Sequence, residues 1–128
     1  MAKYLVIVTA LLEAATGLAL LAMPSAIASL LLGATLDTAG AVTIARVAGA
    51  ALLTIAFICW QAREDSQSRP GRAVVGALLI YNLAVAALLV HGSLALKLAG
   101  PGLWPAVIAH GLLAAWCIAG LRGARGAA

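Results

Sequence analysis

Apolar residues fill this chain in four long blocks, not at the spacing of a half-buried helix. Tyr4 to Met23, Ala39 to Trp60, Ala73 to Val90 and Leu103 to Leu121 each approach 20 residues and carry almost no charge. At ~1.5 Å per helical residue, a block of that length covers the ~30 Å hydrocarbon core of a bilayer. Backbone groups in hydrocarbon have no water to bond and must pair within their own segment. The blocks are therefore predicted to be α-helices, because a membrane β-barrel would alternate polar and apolar positions. The fold class expected is all-α: a four-transmembrane-helix bundle forming a single integral membrane domain over residues 1–128.

The polar positions mark what lies between the blocks. "PSAIASLLLGATLD" is too short to span. Pro24 and Ser25 read as a helix start and Gly33 as a stop, and Ile27, Leu30, Leu31 and Ala34 recur at helical spacing. A short interfacial helix is expected there, with Asp37 or Thr38 capping the second span. "QAREDSQSRPGR" is the strongly polar link between spans two and three. "GSLALKLAGPG" reads as the turn between spans three and four, with Pro105 in the first turn of the last helix. Lys3 followed by an apolar run has the outline of a secretory leader, but the length of the run, Glu13 within it and three further spans predict an uncleaved first helix.

Composition agrees with this pattern: 65% of residues are hydrophobic and 9% charged, against about 45–50% and 25% in soluble domains. The net charge of +4 resides in links and at chain ends, on no amphipathic helix, so no nucleic-acid partner is expected. Lys3, Arg63, Arg69, Arg72, Arg122 and Arg125 fall on one side of the spans and Lys97 on the other. The positive-inside rule then places both termini in the cytoplasm, with the chain expected in a bacterial inner membrane. Cys59 and Cys117 lie far apart in apolar runs, outside any CxxC or Cys/His metal spacing, and read as small buried hydrophobes. Trp60 and Trp104 close span ends, where indoles favour the interface. Gly111, Ala115 and Ala119, and likewise Ala45 and Gly49, have the spacing of small residues that let helices approach closely.

The candidate chemistry is in the ionisable and amide groups inside the spans, each costing about 2.5–3.5 kcal/mol or less to insert by biological scales. They are Glu13, Arg46, Asn82 and His110, with Tyr81 beside Asn82. Glu13 and Asn82 fall near mid-span. Arg46 and His110 lie nearer the outer ends of their helices, and His91 is at the outer boundary. Helical periodicity groups Thr9, Glu13, Thr16 and Gly17 on one face of the first span; Thr43, Arg46, Ala50 and Thr54 on the second; Asn82, Ala86 and Ser93 on the third; and His110, Ala114 and Cys117 on the fourth. If these stripes meet, Arg46 can reach Glu13 and the two form a structural ion pair. The alternatives are a ligand or proton site at Glu13, and an Arg46 that snorkels outward alone.

Two resemblances bear on function. "LLEAATGLALL" resembles the first helix of small multidrug resistance transporters, in which one membrane carboxylate couples proton and cation movement. That resemblance implies a transporter with Glu13 in the coupling role. Helix count, length and an early polar residue in the first span are similar to those of DoxX-like four-helix inner-membrane proteins, a group that includes members tied to redox complexes. The leading expectation is a non-enzymatic accessory or self-associating protein, alone or in a larger membrane complex, with a Glu13–Arg46 core. The alternative is a small transporter or ligand-binding bundle using Glu13, Arg46, Asn82 and His110, with Tyr81 alongside. A third is a haem-binding or redox module at His110 and His91. Their depths and faces differ, so neither haem nor another cofactor is expected, and no metal site.

Overall fold

The computed structural model describes residues 2–123, and Arg125 lies outside them. Five helices follow in order: α1 (Ala2–Ala22), α2 (Pro24–Leu32), α3 (Ala39–Ala62), α4 (Arg69–Leu96) and α5 (Leu103–Gly123). No strand occurs among the described residues. The four longer helices are each long and apolar enough to cross a membrane, which fits a small multi-pass membrane protein.

Helix ends follow local chemistry. Met23 breaks α1, and Pro24 opens α2, where its missing N–H is no loss. Gly33 closes α2 at φ 70°, a conformation glycine adopts without strain. Thr38, not Asp37, caps α3: its hydroxyl accepts from Ala41 N at 3.1 Å, while Asp37 accepts from Thr35 at 2.7 Å. The third span is longer than the sequence suggested at both ends. Ser68 caps it by accepting from Gly71 N at 3.1 Å, so Pro70 falls in a first turn that tolerates it. At the far end, Gly92 stays helical and the helix runs on to Lys97, whose left-handed backbone (φ 58°) ends it.

α1 and α3 pack as one antiparallel pair, and α4 and α5 as another; contact between the pairs is narrower. The α1–α3 crossing is close because two glycines face each other. A Cβ at Gly17 would lie 2.7 Å from Gly49 O, and one at Gly49 would lie 2.8 Å from Gly17 O. Between the pairs, Leu5, Val6 and Ala10 of α1, Cys59 of α3, Val75 and Leu78 of α4, and Leu113 and Cys117 of α5 form the buried core. That core occupies the half of the bundle nearest the start of α1. Outward surfaces are apolar on every long helix, as at Leu11, Ile44, Ile80 and Leu112, all more than half exposed. The small-residue face of α5 is part of this surface: Gly111, Ala115 and Ala119 are exposed.

The opposite half is closed by α2. It docks through Pro24 and Ala28 and leaves Leu30 about half exposed, so the buried face differs from the Ile27/Leu30/Leu31 stripe. Its final carbonyls are taken by the α4–α5 turn: Ala99 N donates to Leu32 O at 3.2 Å and Gly102 N to Leu30 O at 2.8 Å. Gly100 fits between, where a Cβ would strike the backbone of Leu30 and Leu31.

At the core end, Lys3 pairs with Glu64 at 3.1 Å and Arg63 reaches the same carboxylate at 3.4 Å, with the lysine and glutamate at least half exposed. Arg63 also stacks 4.3 Å over the Trp60 ring. Exposed pairs contribute little. Lys3→Met is therefore expected to lower stability by less than about 1 kcal/mol, measured as a melting shift in detergent that shrinks at high salt. A larger, salt-independent loss would contradict that reading of the pair.

Candidate functional site

Glu13 lies halfway along α1 and is 4% exposed. Its neighbours on the same face, Thr9 and Gly17, are buried with it. Tyr81 of α4 crosses the bundle to meet it, and the phenol donates to Glu13 Oε2 at 3.2 Å. No protein hydrogen bond to the other carboxylate oxygen occurs among the described residues. One turn away, the buried Thr9 hydroxyl has no partner either. Thr43 and Thr54 of α3 behave differently, donating to their own helix at Ala39 O (2.8 Å) and Ala50 O (3.1 Å).

Asn82 follows Tyr81 and is fully buried. Its Nδ2 donates to Leu78 O at 2.8 Å, and its Oδ1 lies 2.7 Å from His110 Nδ1 on α5. The His110 ring stands edge-on to Tyr81, with centroids 5.8 Å apart and planes at 80°. Three helices thus carry one continuous polar arrangement from Glu13 through Tyr81 to His110 and Asn82. Beside it a cleft of about 180 Å³ runs between α1 and α5. Glu13, Thr16, Tyr81 and His110 form its polar wall; Leu12, Ala106, Ala109 and Leu113 form the rest. On the other side of Tyr81, a smaller apolar hollow of about 140 Å³ lies between α3 and α4, reaching Cys59.

Of the five residues singled out in the sequence, the structure gathers four: Glu13, Tyr81, Asn82 and His110. Arg46 is not with them, and the expected Glu13–Arg46 pair is corrected. The ion pairs formed among the described residues are those at Glu64. The register explains why. Gly17 opposes Gly49, so in an antiparallel pair the level of Glu13 is that of Leu53. Arg46 is two turns farther along α3, roughly 10 Å away. It is also exposed, off the face that buries Gly49, Ala56 and Cys59. The whole stripe of Thr43, Arg46, Ala50 and Thr54 is exposed and does not line the interior.

His91 and His110 are also apart. His91 is exposed and lies about 13 Å along α4 from the Asn82 that holds His110. Among the described residues no three His, Cys, Asp or Glu groups cluster as metal ligands would. Cys59 and Cys117 are free and fully buried. The part of the site that sequence periodicity did not supply is Thr9's orphan hydroxyl, since helical threonines ordinarily bond to a preceding carbonyl and give no outward sign when they do not.

The polar wall on a cleft, with its carboxylate only half satisfied, is the feature to set against known proteins. No family model, curated protein or solved structure matches this chain.

Proposed function

We propose that the chain is a small multi-pass protein of the bacterial inner membrane, acting as a ligand- or proton-binding bundle through the cleft at Glu13. In this reading α1, α3, α4 and α5 are transmembrane and α2 lies at the outer interface, its exposed Leu30 toward lipid. Both termini are cytoplasmic: Lys3, Arg63, Arg69, Arg72 and Arg122 belong to one end of the helices and Lys97 to the other.

The observation that carries the reading is the state of Glu13. A carboxylate deep in an apolar bundle is costly unless its oxygens are bonded. Here one oxygen has a single phenolic donor, the other faces no protein donor, and Arg46 is too distant to neutralise it. Structural ion pairs satisfy their charges; this group is left able to take a proton or a donor from the cleft.

A hydrophobic carbodiimide, the electrophile to which a protonated carboxyl group adds from within the bilayer, tests this. Labelling at one site per chain, mapped to Glu13 by mass spectrometry and absent in Glu13→Gln, is the expected result. Tyr81→Phe should label faster, because it removes the one hydrogen bond to the carboxylate. An unlabelled Glu13 in folded protein would sink the reading.

A second reading, a self-associating or accessory subunit, is favoured by one observation: Arg46 is exposed on α3, where a neighbouring membrane protein or lipid headgroups would have to meet it.

A further inference from the structure

We propose that the α1–α5 cleft takes a primary amine, a head with several N–H donors on one nitrogen and a short apolar body. His110 Nε2 is its second acceptor beside Glu13. This rests on the cleft reading above and names the ligand class.

Asn82 sets the orientation of His110. Its Nδ2 donates to the backbone carbonyl of Leu78 at 2.8 Å. A carbonyl can only accept, so the amide is oriented and the atom 2.7 Å from His110 Nδ1 is Oδ1. An amide oxygen cannot donate, so His110 Nδ1 must carry the hydrogen. In the neutral ring the lone pair is then on Nε2, on the edge turned from Asn82. His110 is one wall of the cleft, and with Nδ1 held by Asn82 that remaining edge is the part it can offer.

Tyr81 adds no donor. Its hydroxyl is engaged at Glu13 Oε2, and its ring is set edge-on against His110. The wall therefore offers the second oxygen of Glu13, an acceptor once its proton has passed to a ligand amine. It also offers Nε2 of His110, which has no protein partner among the described residues, with the Thr16 hydroxyl able to act either way. Neither the Glu13 oxygen nor Nε2 has a protein donor among the described residues, and neither is sealed from the cleft, so the ligand that fits brings at least two donors. No cationic side chain lines the cleft to neutralise an anion, and an ionised Glu13 repels one. The remaining wall is apolar, with room for a chain of a few carbons.

A primary ammonium meets both acceptors. A quaternary ammonium carries the same charge but no N–H, and leaves Nε2 unpaired. The two are compared directly by titrating n-butylamine, n-butyltrimethylammonium and butyrate into the full-length protein in detergent, by calorimetry. Butylamine is expected to bind at least about tenfold more tightly than the trimethyl compound, the equivalent of one hydrogen bond, with no binding of butyrate. His110→Phe should bring butylamine down to the trimethyl affinity and leave the latter unchanged. Glu13→Gln should weaken both.

Equal binding of both cations, each lost in Glu13→Gln, overturns the amine assignment and leaves the cleft reading standing. Butyrate binding, or butylamine binding that ignores Glu13→Gln, overturns both. Absence of binding by all three compounds overturns the amine assignment, and carbodiimide labelling then decides the cleft reading by itself. The wild-type ligand comparison holds even if a variant fails to fold.

Discussion

Gly49→Ala is expected to destabilise the bundle by several times what a surface substitution does, while Gly111→Ala leaves it unchanged or slightly firmer. The two changes add the same methyl group to a helix interior. At Gly49 the new carbon would sit 2.8 Å from Gly17 O, 3.0 Å from Leu20 Cβ and 3.2 Å from Leu21 N. Two of those atoms are backbone, so no rotamer change relieves the clash and α1 must move off α3. Overpacking of this kind costs about 1–3 kcal/mol, and the upper part of that range applies when backbone has to shift. The movement also displaces Glu13, one turn from Gly17 on the same helix, relative to Tyr81 of α4. At Gly111 nothing lies within 4 Å, and alanine's better helix propensity is worth up to about 1 kcal/mol. Melting temperatures of the two variants in the same detergent decide the matter. If they agree, the close α1–α3 crossing is wrong.

Gly100→Ala should have an effect of similar size for a different reason. Its Cβ would enter the backbone of Leu30 and Leu31, so the α4–α5 turn must lift from α2. That lift opens the bonds from Ala99 N to Leu32 O and from Gly102 N to Leu30 O. Each is worth about 0.5–1.5 kcal/mol net, and more if the freed carbonyls stay shielded from water. α5 begins at Leu103 directly after this turn, so His110 shifts with it. Both a lower melting temperature and weaker butylamine binding are expected. A variant with wild-type stability would show that α2 is not held by the turn.

The sequence supplied the helices because their cause is local: long apolar runs, Pro24 and Gly33 as punctuation, and Thr38 as a cap. It also separated the charged link around Glu64 from the spans. It missed the reach of α4, where "QAREDSQSRPGR" read as a polar link and "GSLALKLAGPG" as a turn. Pro70 is harmless within a first turn capped by Ser68, and Gly92 is merely a weak helix former. The site was legible as a set of residue types but not as a set of contacts. Glu13, Tyr81, Asn82 and His110 are out of place in apolar helices, and that alone draws attention to them. Arg46 is equally out of place, yet it points elsewhere. Opposite charges suggested a pair, whereas the Gly17–Gly49 crossing sets the register of α3 and leaves Arg46 two turns from the level of Glu13. Small-residue spacing could not reveal that crossing, since Gly111, Ala115 and Ala119 have the same spacing and remain exposed.

The hydrogen bonds joining α2 to the α4–α5 turn also imply an order of events during synthesis. The chain emerges from its N-terminus, so α1, α2 and α3 exist before the turn that completes α2 has been made. Until then the carbonyls of Leu30 and Leu32 lack the donors of that turn. The α1–α3 pair can already close, because both of its glycines are present. Docking of the last helix pair is thus the step that fastens α2 and seals that end of the bundle, and a chain truncated before Ala99 would leave it open.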